Sequence, residues 1–347
     1  VNHHGKLICT GLVDSDQAED LVEKTGSQET VEVIQTGDGG ASKTLFKGLI
    51  TEVELKTVRG NYYLTIEASS YTFDLDLKLQ SASFQNHQST YAQLIEKTLA
   101  GFKGADCNDQ VTNGAKLGKL IIRYQETAWE FLKRIASHFG TVLVPDVTQE
   151  APKFWMGLPP GKERTVNDFH YTVVKDLDHY LRDSTNYHPE LGETDFIGYQ
   201  VESSHHLDIG DYVTFQNKKL RVAQSTAVMR QGTLTFNYTL TLDTGVRQNP
   251  ILNPKLSGAS LRGTVIGRAK DTVKVHLDID TEQPIEEACP LPYSSSYTAE
   301  GHSGWYCMPE IGDRVRVYFP TAAEDGAIVM GSIRQDGETN QKTADPN

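Results

Sequence analysis

The chain has 347 residues, so at about 150 residues per domain we expect two or three domains. Hydrophobic residues make up 38% and charged residues 23%, which is the composition of a folded protein rather than a disordered chain, a collagen or a coiled coil. The formal net charge of −13 disfavours tight, specific binding of nucleic acid. No apolar run approaches the roughly 18 residues of a membrane span, and the polar start of the chain does not resemble a secretory signal, so stable membrane insertion is not expected.

The four cysteines, Cys9, Cys107, Cys289 and Cys307, contain no Cys-x-x-Cys pair, which argues against a zinc ribbon or a thioredoxin-type site. Four thiols in a chain of this length suggest a reducing compartment or small buried side chains. A Cys289–Cys307 disulfide and two unpaired thiols both stay open at this stage.

The first seventy residues are predicted to form strands, at 7–9, at 30–34 and in a long pair whose side chains alternate between apolar and polar with a period of two. The alternation runs through 49–56, stops at 58–61, and resumes through 62–67. Gly60 at the centre of the interruption tolerates a positive φ, so the pattern predicts a long antiparallel hairpin.

The middle of the chain changes to a helical period. Thr90 and Gln93 predict one helix start, and Thr127 with Glu130 predicts a second by the capping-box pattern. Apolar residues then share one helix face, and Gly140 provides a left-handed stop. With the strand 141–145 that follows, these helices predict a small α+β segment.

Alternation returns in a second long hairpin that turns at Gln231-Gly232, which hints at an internal repeat. Beyond the turn-rich stretch 249–254, short strands are predicted at 261–267, 272–279, 311–319 and 328–333, with a long loop at 280–308. About five short strands in eighty residues suit a small closed barrel of the OB type. The last fourteen residues are polar.

Candidate chemical sites are few. His3-His4 and His205-His206 lack partners at metal-ligand spacing, and adjacent strand residues point to opposite faces, so solvated or capping histidines are expected. The stretch Gly37–Gly40 precedes a strand, so it predicts a turn rather than a phosphate-binding loop. No motif singles out a carboxylate pair of the glycosidase kind, and we predict no catalytic, cofactor-binding or metal-binding residues.

Two tryptophans offer alternative roles. Trp129 lies on the apolar face of its predicted helix, which favours core packing. Trp305 precedes Cys307, and its indole could plug the barrel or form a platform for stacking sugars, of which packing is preferred.

Several motifs together resemble a known family. The stretch 124–136, YQETAWEFLKRIA, is similar to the YxETxWEFLxRLA segment of VgrG proteins and contractile phage tail hubs. The stretch 309–319, PEIGDRVRVYF, with Gly326 and 329–332, VMGS, resembles the signature of their OB domain. The segments 46–50, FKGLI, and 2–5, NHHG, are similar to the first strands of the hub.

The resemblance implies a mainly β fold with an α+β insert: two tube-like β-barrel hub domains, a small helical α+β domain and a C-terminal OB-fold barrel. The corresponding boundaries are 1–75, first hub barrel; 76–165, α+β insert; 166–250, second hub barrel; 255–334, OB fold; 335–347, polar tail. Ile209-Gly210-Asp211 and Ile311-Gly312-Asp313 each predict a turn into a strand, with the Asp side chain bonding backbone two residues on.

In function, the resemblance implies a non-enzymatic homotrimer that adapts the hexameric tail tube of a contractile injection system to its spike, with other baseplate proteins as partners. Such a protein would be assembled in the bacterial cytoplasm and delivered to the target cell envelope within a phage tail, tailocin or type VI secretion particle. Ala327-Ile328 departs from the family's Asp-Pro approach, where Glu324-Asp325 could substitute in part. No repeating strand octads follow the OB segment, so the spike is expected on another polypeptide or beyond this sequence. The alternatives are a tail-associated cell-wall hydrolase and a carbohydrate-binding OB protein.

Overall fold

The structure, a computed structural model, describes residues 1–36, 42–165, 170–295 and 307–333. The chain forms two compact units. Unit 1 comprises Val1–Lys78, Ile95–Asn113 and Ala128–Ile251. Unit 2 comprises Leu79–Leu94, Gly114–Thr127 and Leu252–Asn347. The predicted segment 76–165 thus contributes to both units, and the five sequence-derived boundaries stay predictions.

The elements follow one another as a mainly β chain with four α-helices in its described part. The helices are α1 Ser15–Lys24, α2 Tyr91–Leu99, α3 Ala128–Ser137 and α4 Leu177–Asn186. The strands are β1 Lys6–Val13, β2 Thr30–Thr36, β3 Ser42–Val58, β4 Asn61–Ser70, β5 Gln80–Phe84, β6 Asp106–Asp109, β7 Ile121–Glu126, β8 Leu143–Pro145, β9 Lys153–Met156, β10 Glu163–Arg164, β11 His170–Lys175, β12 Ile197–Ser203, β13 Tyr212–Phe215, β14 Lys218–Arg230, β15 Thr233–Thr241, β16 Ser260–Ala269, β17 Thr272–Leu277, β18 Pro290–Ser294, β19 Arg314–Tyr318 and β20 Ile328–Ile333. None of the helices among these residues has the length and apolar character needed to span a bilayer.

Unit 1 contains a four-stranded antiparallel sheet in the order β1-β4-β3-β2. Its centre is the predicted hairpin β3–β4, whose two turn residues, Arg59 and Gly60, have φ of 52° and 81°. Two consecutive positive φ values match the right-handed twist of the strands, which is why a glycine is favoured there. The hairpin predicted from alternation is confirmed.

Unit 1 also contains a six-stranded sheet in the order β10-β13-β14-β15-β12-β11. Its central hairpin β14–β15 turns at Gln231 and Gly232, with φ of 49° and 80°. Phe236, Tyr238 and Leu240 are buried, as their alternation predicts. Strand β11 and helix α4 were not predicted, and neither was α1.

The sequence hint of an internal repeat is confirmed by topology. The order β1-β4-β3-β2 of the first sheet recurs as β12-β15-β14-β13 in the second, and every pairing in both sets is antiparallel. The second sheet differs by the additional strands β10 and β11 at its two ends.

The predicted helix starts and stops are also present. At α2, the Thr90 N–H donates to Gln93 Oε1 at 2.9 Å and the Gln93 N–H donates to Thr90 Oγ1 at 3.2 Å, a reciprocal capping box. After α3, Gly140 has φ of 62° and ends the helix. Trp129 on α3 is 1% exposed, so its predicted packing role is confirmed.

In unit 2, five strands close into a barrel in the order β16-β17-β18-β20-β19, which confirms the OB-type prediction. The prediction of an uninterrupted loop at 280–308 is wrong, because β18 lies within it and completes the barrel. Pro290 and Pro292 argue against a strand in the sequence, because a proline has no N–H to donate to a neighbouring strand. Strand β18 nevertheless pairs with β17 on one side and, at Tyr293 and Ser294, with β20 on the other.

Candidate functional site

The candidate site is the pair of repeated sheets in unit 1, and its two hairpins share a local irregularity. Thr51 in β3 and Ala223 in β14 are each an extra residue opposite a continuous partner strand, which makes each a β-bulge. A bulge bends its strand and increases the local twist. Both hairpins are therefore bent at the same position relative to their turns, as two copies of one curved surface element.

Each hairpin has one apolar and one polar face. In β15 the side chains of Phe236, Tyr238 and Leu240 are buried, whereas Thr235, Asn237 and Thr239 on the opposite face are half-buried. In β3 the residues Glu52 and Glu54 are exposed on the polar face, and Val53 between them is half-buried. The polar faces are therefore hydroxyl-rich in one repeat and acidic in the other.

The outer strand β1 is unusually apolar for an exposed edge. In the described part of the chain, β1 pairs only with β4, and Ile8 and Leu12 are 64% and 68% exposed. An unpaired apolar edge favours association with another chain. In the second repeat, the equivalent strand β12 is paired with β11 instead.

The unpredicted strand β11 and helix α4 also expose apolar side chains. Every residue of β11 is exposed, including Tyr171 and Val173. Leu177 and Leu181 of α4, one helical turn apart, are 47% and 60% exposed. The sequence held one signal for α4, since Asp176 caps it by accepting the His179 N–H at 3.0 Å.

Helix α1 exposes Leu21 and Val22 and was likewise missed. Its sequence signal is the spacing of Asp20 and Lys24, whose side chains form an ion pair one turn apart. The short helix is strongly charged, so it lacks the wide apolar stripe on which helix prediction depends.

The two Ile-Gly-Asp steps form the same turn in different units. Gly210 and Gly312 have φ of 93° and 99°. Asp211 Oδ2 accepts the Asp208 N–H at 3.1 Å, and Asp313 Oδ2 accepts the N–H of the residue three positions before it at 2.9 Å. The predicted glycine conformation is confirmed, but the Asp side chains bond three residues back rather than two residues on.

His4 and His206 make hydrogen-bond and packing contacts. His4 Nδ1 lies 2.9 Å from Thr72 Oγ1, and its ring lies 4.7 Å from that of Trp129. His206 Nδ1 lies 2.8 Å from Lys43 Nζ, and burial, followed by the charge of Lys43, lowers the pKa of His206. His4 is thus a half-buried side chain held by Thr72 and Trp129, not the solvated or capping histidine expected. No group of three potential ligands from His, Cys, Asp and Glu occurs among the described residues.

All four cysteines are unpaired thiols, so the open question of a Cys289–Cys307 disulfide is settled in favour of separate thiols in this structure. Burial, followed by repulsion from Asp109, raises the pKa of Cys107 to about 12, so that thiol stays protonated. Trp305 and the predicted turn at Gly37–Gly40 lie outside the described residues.

Within unit 2, side chains attach the segment 79–94 to the barrel. Asp280 accepts the Ser83 N–H at 2.7 Å and the Ser83 Oγ–H at 2.6 Å. Gln85 Nε2 donates to the Val275 carbonyl at 3.1 Å, and Gln85 Oε1 accepts the Cys289 N–H at 3.2 Å. Burial raises the pKa of Asp280, although the bonds from Ser83 oppose that rise.

Glu324 makes a second attachment within unit 2. Its side chain is 5% exposed, and Oε1 accepts the Ile122 N–H of β7 at 2.8 Å. The neighbouring Asp325 is exposed. The sequence suggested that this pair replaces a loop motif, and the structure shows that Glu324 alone makes a buried contact.

Comparison with known proteins agrees with this architecture. Residues 5–148 match the family model of the phage tail baseplate hub (GPD). No curated protein matches the sequence. An Escherichia coli protein described as a component of the type VI secretion system, with structural similarity to the T4 bacteriophage tail proteins gp27 and gp5, is similar in fold with a TM-score of 0.60. At 17% identity, the similarity covers 84% of each chain.

The Francisella PdpA–VgrG complex in its half-lidded form contains a second similar chain, with a TM-score of 0.55 and 7% identity. This similarity covers 98% of the present chain and 73% of the other. At these identities the two structures show a common fold.

Proposed function

We propose that three copies of this chain form the hub of a contractile injection system. The premise is that the chain belongs to the VgrG and phage tail baseplate hub family, which the family match over residues 5–148 and the fold support. The hub connects the hexameric tail tube of a contractile injection system to its puncturing spike. The partners in this proposal are two further copies of the chain, the tube protein, a spike or spike-tip protein and other baseplate proteins.

The observation that carries the proposal is the repeated sheet. One chain presents the same four-stranded antiparallel arrangement twice, with the same type of turn and the same bulge. Three chains would therefore present six equivalent sheets, which matches a six-fold tube by symmetry. The apolar edge at Ile8 and Leu12 would be covered in such a ring.

In this ring, we place the polar hairpin faces toward the central channel. The acidic side chains Glu52 and Glu54, and the hydroxyls of the second repeat, would then line the passage. Negative charge repels phosphate backbones and acidic polypeptides, so cargo would pass without adhering. The chain's net charge of −13 is consistent with this arrangement.

The proposed role is structural, and we propose no enzymatic activity. The support is the matched family, which is one of tail hubs. A peptidoglycan zymogram addresses the alternative of a cell-wall hydrolase, because reproducible clearing by the purified chain would overturn the structural role. Assembly in the bacterial cytoplasm, before delivery to a target envelope, is part of the same proposal. Neighbouring genes for capsid proteins would identify the particle as a phage.

Light scattering at micromolar concentration tests the three-chain hub directly. The expected mass is near three times 38.5 kDa. A variant with Ile8→Lys and Leu12→Lys should be monomeric, because charges on the β1 edge oppose its burial. The matched control is Leu252→Lys, which charges an exposed leucine outside the sheets. A stable monomer that also fails to bind the tube protein would refute the proposal.

A further inference from the structure

The outer surface of the barrel in unit 2 carries two arginines side by side. Arg262 of β16 and Arg316 of β19 are direct cross-strand partners, and both are exposed. Like charges at directly opposed positions destabilise a sheet. In the part of the chain that the structure describes, neither side chain has an ion-pair partner. Their neighbour Arg314 differs, because it forms a two-bond ion pair with Asp278.

An exposed apolar side chain adjoins this pair. Met330 of β20 is the cross-strand partner of Arg316 and is 44% exposed. Arg262, Arg316 and Met330 therefore form one row across three adjacent strands, which we name the basic row. The barrel is closed, so no strand edge is open in this described region, and a partner has to dock on side chains.

The loop from β17 to β18 has the complementary character. Glu282, Glu286 and Glu287 are exposed around Ile285, which is 44% exposed, and we name these four residues the acidic knob. No cation pairs with the three carboxylates within the described residues.

The acidic knob is well ordered by hydrogen bonds. Lys274 Nζ donates to the Ile285 carbonyl at 2.6 Å, and the N–H groups of Glu287 and Ala288 both donate to the Pro284 carbonyl at 3.1 Å. A shape that is already fixed loses little entropy on binding, which favours its use as a recognition element.

We propose that the basic row of one copy receives the acidic knob of a second copy of this chain. The two surfaces have opposite charges, and each includes one exposed apolar side chain, Met330 in the basic row and Ile285 in the acidic knob. They belong to different parts of one barrel, the row to β16, β19 and β20 and the knob to the β17–β18 connection, so the contact is head-to-tail, the type of interface from which closed rings are built. The inference rests on the three-chain hub proposed above and adds a contact at the level of the barrels.

Charge reversal tests the contact. The variant Arg262→Glu with Arg316→Glu should raise the concentration of half-dissociation of the trimer roughly tenfold, since close opposite charges across an interface become like charges. The variant Glu282→Arg with Glu286→Arg and Glu287→Arg should do the same, and the chain with all five changes should recover the parent's value. The matched control reverses Arg268 and Lys103, two exposed cations outside the basic row.

Light scattering and sedimentation of these variants separate the outcomes. The inference is supported if the chain with all five changes recovers the parent's concentration of half-dissociation and the control variant is unaffected. A trimer whose dissociation is unchanged by reversal of the basic row would refute the contact and leave the three-chain hub intact. Weakening without recovery would also refute it, because the arginines would then contact some other group. A parent protein that is monomeric would refute the contact, and one that also fails to bind the tube protein would refute the hub as well.

Discussion

Thr51 and Ala223 occupy equivalent places in two different hairpins, each as the extra residue of a bulge eight positions before its turn residue, Arg59 or Gln231. Side chains do not explain the match, since Thr51 is exposed and Ala223 is buried. The shared feature is the backbone irregularity itself. A bulge retained at one position in two repeats indicates that the bend of the strands, and not one contact, is the common requirement.

Trp129→Ala should destabilise unit 1 by about 3–5 kcal/mol, the usual cost of removing a large buried aromatic side chain. The indole is 1% exposed, lies 5.4 Å from the Phe154 ring, and donates its N–H to the Asn2 carbonyl at 3.2 Å. Thermal and urea unfolding measure the change. Trp155→Ala, at a half-buried position, is the control and should cost less. An unchanged melting temperature for Trp129→Ala would mean that the indole is not in the core.

Replacement by alanine should have different effects at Gly210 and Gly312, which both have a positive φ. Both substitutions force a side chain into an unfavourable backbone region, at roughly 1–3 kcal/mol. A Cβ at Gly210 would also lie 2.6 Å from the Pro159 carbonyl oxygen, whereas one at Gly312 meets no atom within 4 Å. Gly210→Ala should therefore be the more destabilising in urea unfolding.

The bulkier Gly312→Val, which adds branching at the same φ, should make the barrel of unit 2 sensitive to protease while unit 1 stays folded. Equal resistance of this variant and the parent would show that position 312 does not require a glycine.

Glu324→Ala should cost about 1–3 kcal/mol, because the buried Ile122 N–H would lose its acceptor. Glu324→Gln retains a carbonyl oxygen at that position and should cost less. Asp325→Ala, at the exposed neighbouring position, is the matched control and should leave stability within about 0.5 kcal/mol. Hydrogen exchange at Ile122 gives a local readout, and unchanged protection in Glu324→Ala would contradict the assignment.

The contribution of Asp280 to the free energy of unfolding should fall as the pH rises. Burial raises its pKa in the folded state, so the folded protein binds this proton more tightly than the unfolded chain does. Its contribution to stability is therefore greatest below the ordinary aspartate pKa, about 4, and is lost as the pH passes through the raised folded value.

Asp280→Asn should remove this pH dependence while retaining an oxygen that can accept the Ser83 N–H. Unfolding by urea, measured from below the ordinary aspartate pKa of about 4 to well above it, compares the two proteins. The free energy of unfolding of the parent should fall relative to that of the variant as the pH rises. Stability curves that stay parallel across the pH range would argue against a raised pKa.

Local sequence determined much of this fold. Alternating side chains around Gly60 and Gly232 predict both hairpins, because a two-residue period and a positive-φ turn are properties of a short continuous segment. The Thr90–Gln93 capping box and the burial of Trp129 follow from local spacing in the same way. Two of the family's motifs, 46–50 and 124–136, overlap these locally determined elements, the first in β3 and the second in α3.

Tertiary structure alone decided the features that join distant segments. Strand β18 gains its place from β17 and β20, which compensate for two prolines, and Glu324 meets Ile122 across 202 positions of sequence. Strand β11 likewise takes its place by pairing with β12, so one repeat is extended at the edge where the other has no further strand among the described residues. No local period records such pairings, because the stabilising groups lie on another segment and become neighbours only when the chain has folded.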